Sequence, residues 1–140
     1  MQRHFTAVKA VIVNDQNQVL LVRESANDPS RSHVGKYDVP GGRLNFGEPP
    51  LEGLKREVRE EVNMDVEIIK PIDTNYWMPT KDGEQWYIVA VFFLCFSKSI
   101  GTVSQFEHDE LVWVDWSDLE KYNIIPTTKD VLKQYTENPR

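Results

Sequence analysis

Residues 42–64 read GRLNFGEPPLEGLKREVREEVNM, and they decide the architecture. Within them Leu51, Leu54, Val58 and Val62 recur at helical spacing, and Pro50 takes a first-turn position that tolerates a missing N–H. The spacing predicts a helix over 50–62. Glu57, Glu60 and Glu61 stand at i, i+3 and i+4 of that helix and therefore share a face. At about 100° per residue they are centred roughly 110° from the apolar stripe, so they flank the buried face and open into a cleft beside the core. Three anions this close repel one another, and a hard divalent cation such as magnesium offsets the repulsion. A glutamate-rich helix face alone is usually a solvated surface; the fixed positions around it change that reading.

Working outward, residues 5–13 are rich in β-formers, Asn14-Asp15-Gln16-Asn17 is turn chemistry, and 19–22 resume the apolar pattern, which predicts an opening hairpin. The polar stretch 24–36 holds Pro29 and Gly35 and reads as a surface loop. It leads to a short strand over 37–39, ended by Pro40-Gly41-Gly42. Beyond the helix, 65–77 and 85–96 are β-rich and separated by a segment whose Asp82-Gly83 pair is a turn signal, giving a long hairpin. A polar loop over 97–110 precedes a strand at 111–114, a short helix over 115–122 and a longer one over 126–135.

The 140 residues suit a single domain spanning 1–140, without internal repeat or linker. Acidic residues outnumber basic ones by 22 to 16, and the net charge of -6 comes with no Lys/Arg stripe, so no long nucleic acid is expected as a partner. Cys95 is the only cysteine, which rules out an intramolecular disulfide and fits a reducing cytoplasmic location. The first residues carry no secretory pattern, and no stretch approaches the ~18 to 20 apolar residues that span a bilayer, so no membrane association is expected. A homodimer stays open.

Written as a pattern, the segment is Gly42, five residues, Glu48, seven residues, then Arg56-Glu57-Val58-Arg59-Glu60-Glu61-Val62-Asn63-Met64. It resembles the Nudix box, matching every fixed position except the last glycine, where Asn63 stands. That position follows the helix end, where a left-handed backbone is usual and asparagine is the common substitute for glycine. The order of elements also resembles a Nudix domain. The resemblance implies an α/β fold, an α/β/α sandwich around a mixed β-sheet. It also implies water-driven cleavage of the pyrophosphate link in a nucleoside diphosphate derivative, with Mg2+ or Mn2+ as cofactor.

By the same resemblance Glu57 and Glu61 are the firmest metal ligands, while Glu60 ligates metal and takes a proton from the attacking water. Gly42 lends a backbone carbonyl to metal, Glu48 orients the loop, and Arg56 pairs with a box carboxylate. In several family members the loop before the last strand supplies a further ligand or the base. Here Glu107 is the first candidate, His108 the second because an imidazole suits general-base work, and Glu110 the third.

Arg23, Arg31 and His33 are candidates for substrate phosphates, and Trp77 and Trp86, with Tyr76 and Tyr87, for stacking a base. Loop cations are commonly just solvated, and aromatic residues in a hairpin commonly pack the core or a neighbouring strand. The leading function is a pyrophosphohydrolase acting on a small nucleotide. Its competitors are a catalytically silent Nudix-fold nucleotide sensor and an RNA-end pyrophosphohydrolase, the latter disfavoured by the net charge. Substrate choice resides in loops 24–36, 78–84 and 97–110.

Overall fold

The computed structural model describes residues 1–27 and 33–137. Strand β1 (Gln2–Val13) is the spine of the sheet, and it lies parallel to β7 (Glu84–Phe96) from Gln2↔Gln85 to Val13↔Phe96. The far edge of β7 carries β5 (Glu67–Trp77), antiparallel. On its other side β1 pairs with the short strand β4 (Gly41–Arg43) and touches β2 (Gln18–Glu24) at Val13↔Val19. From there β2 diverges to pair with β3 (Tyr37–Asp38) and β8 (His108–Asp115).

Side-chain alternation sorts these strands onto two cores. Helix α1 (Pro50–Val62) lays Leu54, Val58 and Val62 on Val8, Ala10 and Ile12 of β1, Leu20 and Val22 of β2, and Phe93 and Cys95 of β7. Each of these helix side chains is 0% exposed, a burial worth roughly 1.5–3 kcal/mol apiece. The opposite face is covered by a 3-10 helix (Trp116–Lys121) and α2 (Pro126–Glu137), which bury Leu119, Val131 and Leu132 against Ala7, Val11, Leu21, Ala90 and Phe92. The expected α/β/α sandwich around a mixed sheet is therefore the observed one. No helix among the described residues is long and apolar enough to cross a membrane.

Several expectations need correction. The opening hairpin is closed only at its turn, because β1 spends its hydrogen bonds on β7 and β4 while β2 spends its own on β8 and β3. The strand over 37–39 does end ahead of Pro40, at Asp38, but Gly41, Gly42 and Arg43 then form a further strand, β4, against Lys9, Val8 and Ala7. Leu51 is 49% exposed, because the helix meets the preceding loop two residues later at Gly53, where a Cβ would lie 2.3 Å from a Leu44 methyl. The last strand begins at His108, inside the expected loop. The hairpin of β5 and β7 is as expected, with β6 (Thr80–Lys81) folded onto β7 and a turn in which Asp82 and Gly83 have φ of 53° and 76°.

Candidate active site

The two-glycine strand β4 faces the acidic side of α1. At Gly42 a Cβ would stand 2.8 Å from Cδ and from both oxygens of Glu57, so this carboxylate occupies the space that any other residue would fill. At Gly41 the backbone N–H donates to Glu61 Oε1 at 2.9 Å. Glu61 is 8% exposed and therefore lies within the buried face of α1 rather than beside it, a correction to the helical-wheel expectation. Burial pushes its carboxyl up to about 8, against the opposing pull of the Lys9 ammonium and the Gly41 N–H, with Glu57 and Glu107 adding to the rise. Burial likewise raises Glu57, with Arg56 working against the rise.

Arg56 ties the outer carboxylates together. Its Nε and Nη2 donate to the two oxygens of Glu48 at 2.7 and 3.0 Å, a bidentate pair. Its Nη1 donates to Glu57 Oε1 at 3.0 Å and Glu60 Oε2 at 3.2 Å, and Nη2 reaches the Arg43 carbonyl at 3.4 Å. Glu48 also accepts the Asn45 N–H, so it locks the loop ahead of the helix. The guanidinium, and then that N–H, hold the Glu48 carboxyl down at about 2. Glu60 is the outermost of the set, with its side chain 59% exposed.

Strand β8 supplies the other wall. Glu61, Glu107 and His108 each present a ligand atom within 4.8 Å of the others, and His108 Nε2 lies 3.8 Å from Glu61 Oε2. Two carboxylates and one imidazole make a donor set for a divalent cation. A divalent cation thus fits both the donor chemistry and the glycine-lined cradle that holds Glu57.

Behind this cluster lies a buried polar group that sequence reasoning missed. Lys9 Nζ donates to Asp38 Oδ2 at 2.7 Å, and Thr128 Oγ1 donates to Asp38 Oδ1 at 2.6 Å. Burial works to lower the Lys9 ammonium; Asp38, then Glu61 and Glu24, outweigh it and raise the net value. The available signal was a lone lysine inside the apolar run of residues 7–13.

The substrate-binding candidates lie elsewhere or serve other contacts. Arg23 Nε donates to Asp109 Oδ1 at 2.7 Å, and its Nη1 lies 3.5 Å from Glu110 Oε2. Glu110 also accepts the Tyr37 hydroxyl. The His33 N–H donates to Glu24 Oε2, and Arg31 falls outside the described residues. Trp77 and Trp86 pack on the α2-side core; Trp86 also meets Phe5 at 4.8 Å and lies under the cations of Arg43 and Lys81.

Comparison with known proteins shows the family. A family model, the NUDIX domain, matches residues 3–135. The chain belongs to the NUDIX domain family. Its fold is similar to that of the MutT protein from Methanosarcina mazei Go1, with a TM-score of 0.85, 27% identity, and coverage of 99% of this chain and 98% of that one. Among curated relatives, the 8-oxo-dGDP phosphatase NUDT18 of Danio rerio is 31% identical over 140 residues, covering 94% of this chain and 39% of the relative. The RNA pyrophosphohydrolase of Ruthia magnifica subsp. Calyptogena magnifica is 28% identical over 148 residues, covering 90% and 78%. The NUDIX chain therefore spans well under half of the zebrafish relative and most of the bacterial one.

Proposed function

We propose that this NUDIX chain is a metal-dependent pyrophosphohydrolase that cleaves a phosphoanhydride bond in a small nucleoside diphosphate derivative, such as a nucleoside triphosphate or a nucleotide sugar, by attack of water. The observation that carries the reading is the convergence of Glu57 and Glu61 on the two-glycine strand, with Glu107 and His108 at Glu61. The zebrafish relative, named for a nucleoside diphosphate, supports a small nucleotide.

In this reading Glu57, Glu61 and Glu107 hold Mg2+ or Mn2+, with Glu60 and the Gly42 carbonyl as further ligands. Once bound, the cation neutralises phosphate oxygens and makes a water more acidic. Arg56, gripped by Glu48, fixes the rotamers of Glu57 and Glu60. Lys9 offsets part of the charge at Glu61 from behind. Glu60, half in solvent, accepts the proton of the attacking water and passes it to bulk water; Glu107 is the alternative base.

Hydrolysis of a nucleotide panel with Mg2+, with the products assigned to a particular broken bond, tests the proposal. Glu61→Gln and Glu60→Gln should each slow turnover by about 100-fold or more while the protein stays folded. Turnover at the wild-type rate in both variants would sink it. A silent sensor would bind nucleotide without product, and the full acidic set speaks against that.

A second reading, action on RNA 5′ ends, draws on one observation besides the bacterial relative's name. Arg3 and Arg43 lie over Phe5, and Arg43 and Lys81 over Trp86, which gathers three cations into a basic patch of the kind that tracks a single-strand backbone. Faster cleavage of a triphosphorylated oligonucleotide than of free nucleotides would favour it.

A further inference from the structure

Strands β2 and β8 pair residue for residue from Gln18↔Asp115 to Arg23↔Glu110; the next pair is Glu24↔His108, so Asp109 is the extra residue of a β-bulge. Up to that point the faces alternate. Leu111 and Trp113 pack with Val22 and Leu20 under α1, whereas Val112 and Val114 pack with Leu21 and Val19 under α2. Continued without interruption, the alternation puts Glu110 on the α2 face, Asp109 on the α1 face and His108 on the α2 face again. The extra residue reverses that outcome. His108 is 5% exposed and lies 3.8 Å from Glu61, a residue of α1.

The bulge is gripped from both sides. One guanidinium, Arg23, meets Asp109 at 2.7 Å and Glu110 at 3.5 Å. Beyond it Ser25, fully buried, donates its N–H to the Glu107 carbonyl at 3.0 Å and its hydroxyl to the Gln105 carbonyl at 3.2 Å. The segment carrying Glu107 and His108 is thereby held between two fixed points.

We propose that Arg23 is a positioning residue for the metal site: with Asp109 it sets the β-bulge that turns Glu107 and His108 onto Glu61. The proposal rests on the reading of Glu61 as a metal ligand. Its consequence is that a side chain on the α2 face governs cation affinity on the α1 face.

The test is direct binding of Mn2+ to the metal-free full chain, followed by loss of the free-ion electron paramagnetic resonance signal, with folding followed by circular dichroism. Arg23→Gln and Asp109→Asn should each weaken Mn2+ binding about tenfold, as loss of a ligand-orienting partner does. Arg23→Lys, which keeps a cation opposite Asp109, should recover part of the loss. Wild-type affinity in folded Arg23→Gln overturns the inference, and if that variant does not fold, Asp109→Asn decides in the same way. Glu61→Gln separates the two layers. If it binds Mn2+ like wild type, the metal-site reading fails and the inference with it; if only the Arg23 and Asp109 variants are unaffected, the inference alone fails.

Discussion

Gly41 and Glu61, 20 positions apart, are joined by a 2.9 Å hydrogen bond from a strand N–H to a helix carboxylate. The bond compensates part of the cost of burying Glu61 and fixes the last turn of α1 against β4. Gly41 has φ of 150°, and a Cβ there would stand 2.2 Å from the Val8 carbonyl oxygen and 2.8 Å from Lys9 Cα. Both are backbone atoms that cannot step aside. Gly41→Ala should therefore lose at least about 1–3 kcal/mol from strained backbone alone, read as a lower urea midpoint. A midpoint equal to wild type would contradict this account.

The neighbouring glycine has a different fate. A Cβ at Gly42 meets the end of the flexible Glu57 side chain, which can swing away. Gly42→Ala should keep most of its stability and lose metal affinity and turnover, because the displaced carboxylate is a proposed ligand. Calorimetry for unfolding and titration calorimetry for Mn2+ separate the two effects. Unaltered Mn2+ binding would show that Glu57 is not held there for a metal.

Acid sensitivity should trace to Glu48. Its folded carboxyl lies at about 2, below the ordinary 4.5, so it contributes stability fully above about 4.5 and loses it as pH falls through about 2. Glu48→Gln should lower the melting temperature at neutral pH and flatten its fall between those two values. A melting profile parallel to wild type over that window would rule the pair out as a source of the dependence.

Asn63 caps α1 with φ of 54° and ψ of 46°, and its N–H donates to the Arg59 carbonyl. Asparagine accepts this left-handed conformation and alanine does not. Asn63→Gly should stay within about 0.5 kcal/mol of wild type, while Asn63→Ala should lose about 1 kcal/mol; both should keep full activity. Denaturant unfolding with a parallel turnover assay checks both parts.

The helix, its boundaries and its left-handed end were legible because period, proline and cap are local signals that Leu54, Val58, Pro50 and Asn63 carry by themselves. Glu57, Glu60, Glu61 and Arg56 stood out as site candidates through the resemblance of their spacing to the Nudix box; as a glutamate-rich helix face alone they read as a solvated surface. What escaped was set by partners distant in sequence. Strand β4 is three residues, two of them glycine, and becomes a strand only because β1 is there to pair with it. The Lys9–Asp38–Thr128 group joins three separate elements. Arg23 read as a loop cation because Asp109 becomes its neighbour only through the pairing of β2 with β8.

The parallel pairing of β1 with β7 also dictates when the site can exist. Gln2 waits 83 positions for Gln85, and the loop closed by that contact contains α1 and both glycines. Closing so long a loop costs entropy before any contact returns it, which places this step late in folding. A nascent chain that ends before β7 should thus remain open to protease along its whole length and bind no Mn2+. On this order of events the two-glycine strand and its facing carboxylates come together along with the hydrophobic core, and an unfinished chain carries no half-built version of the proposed site.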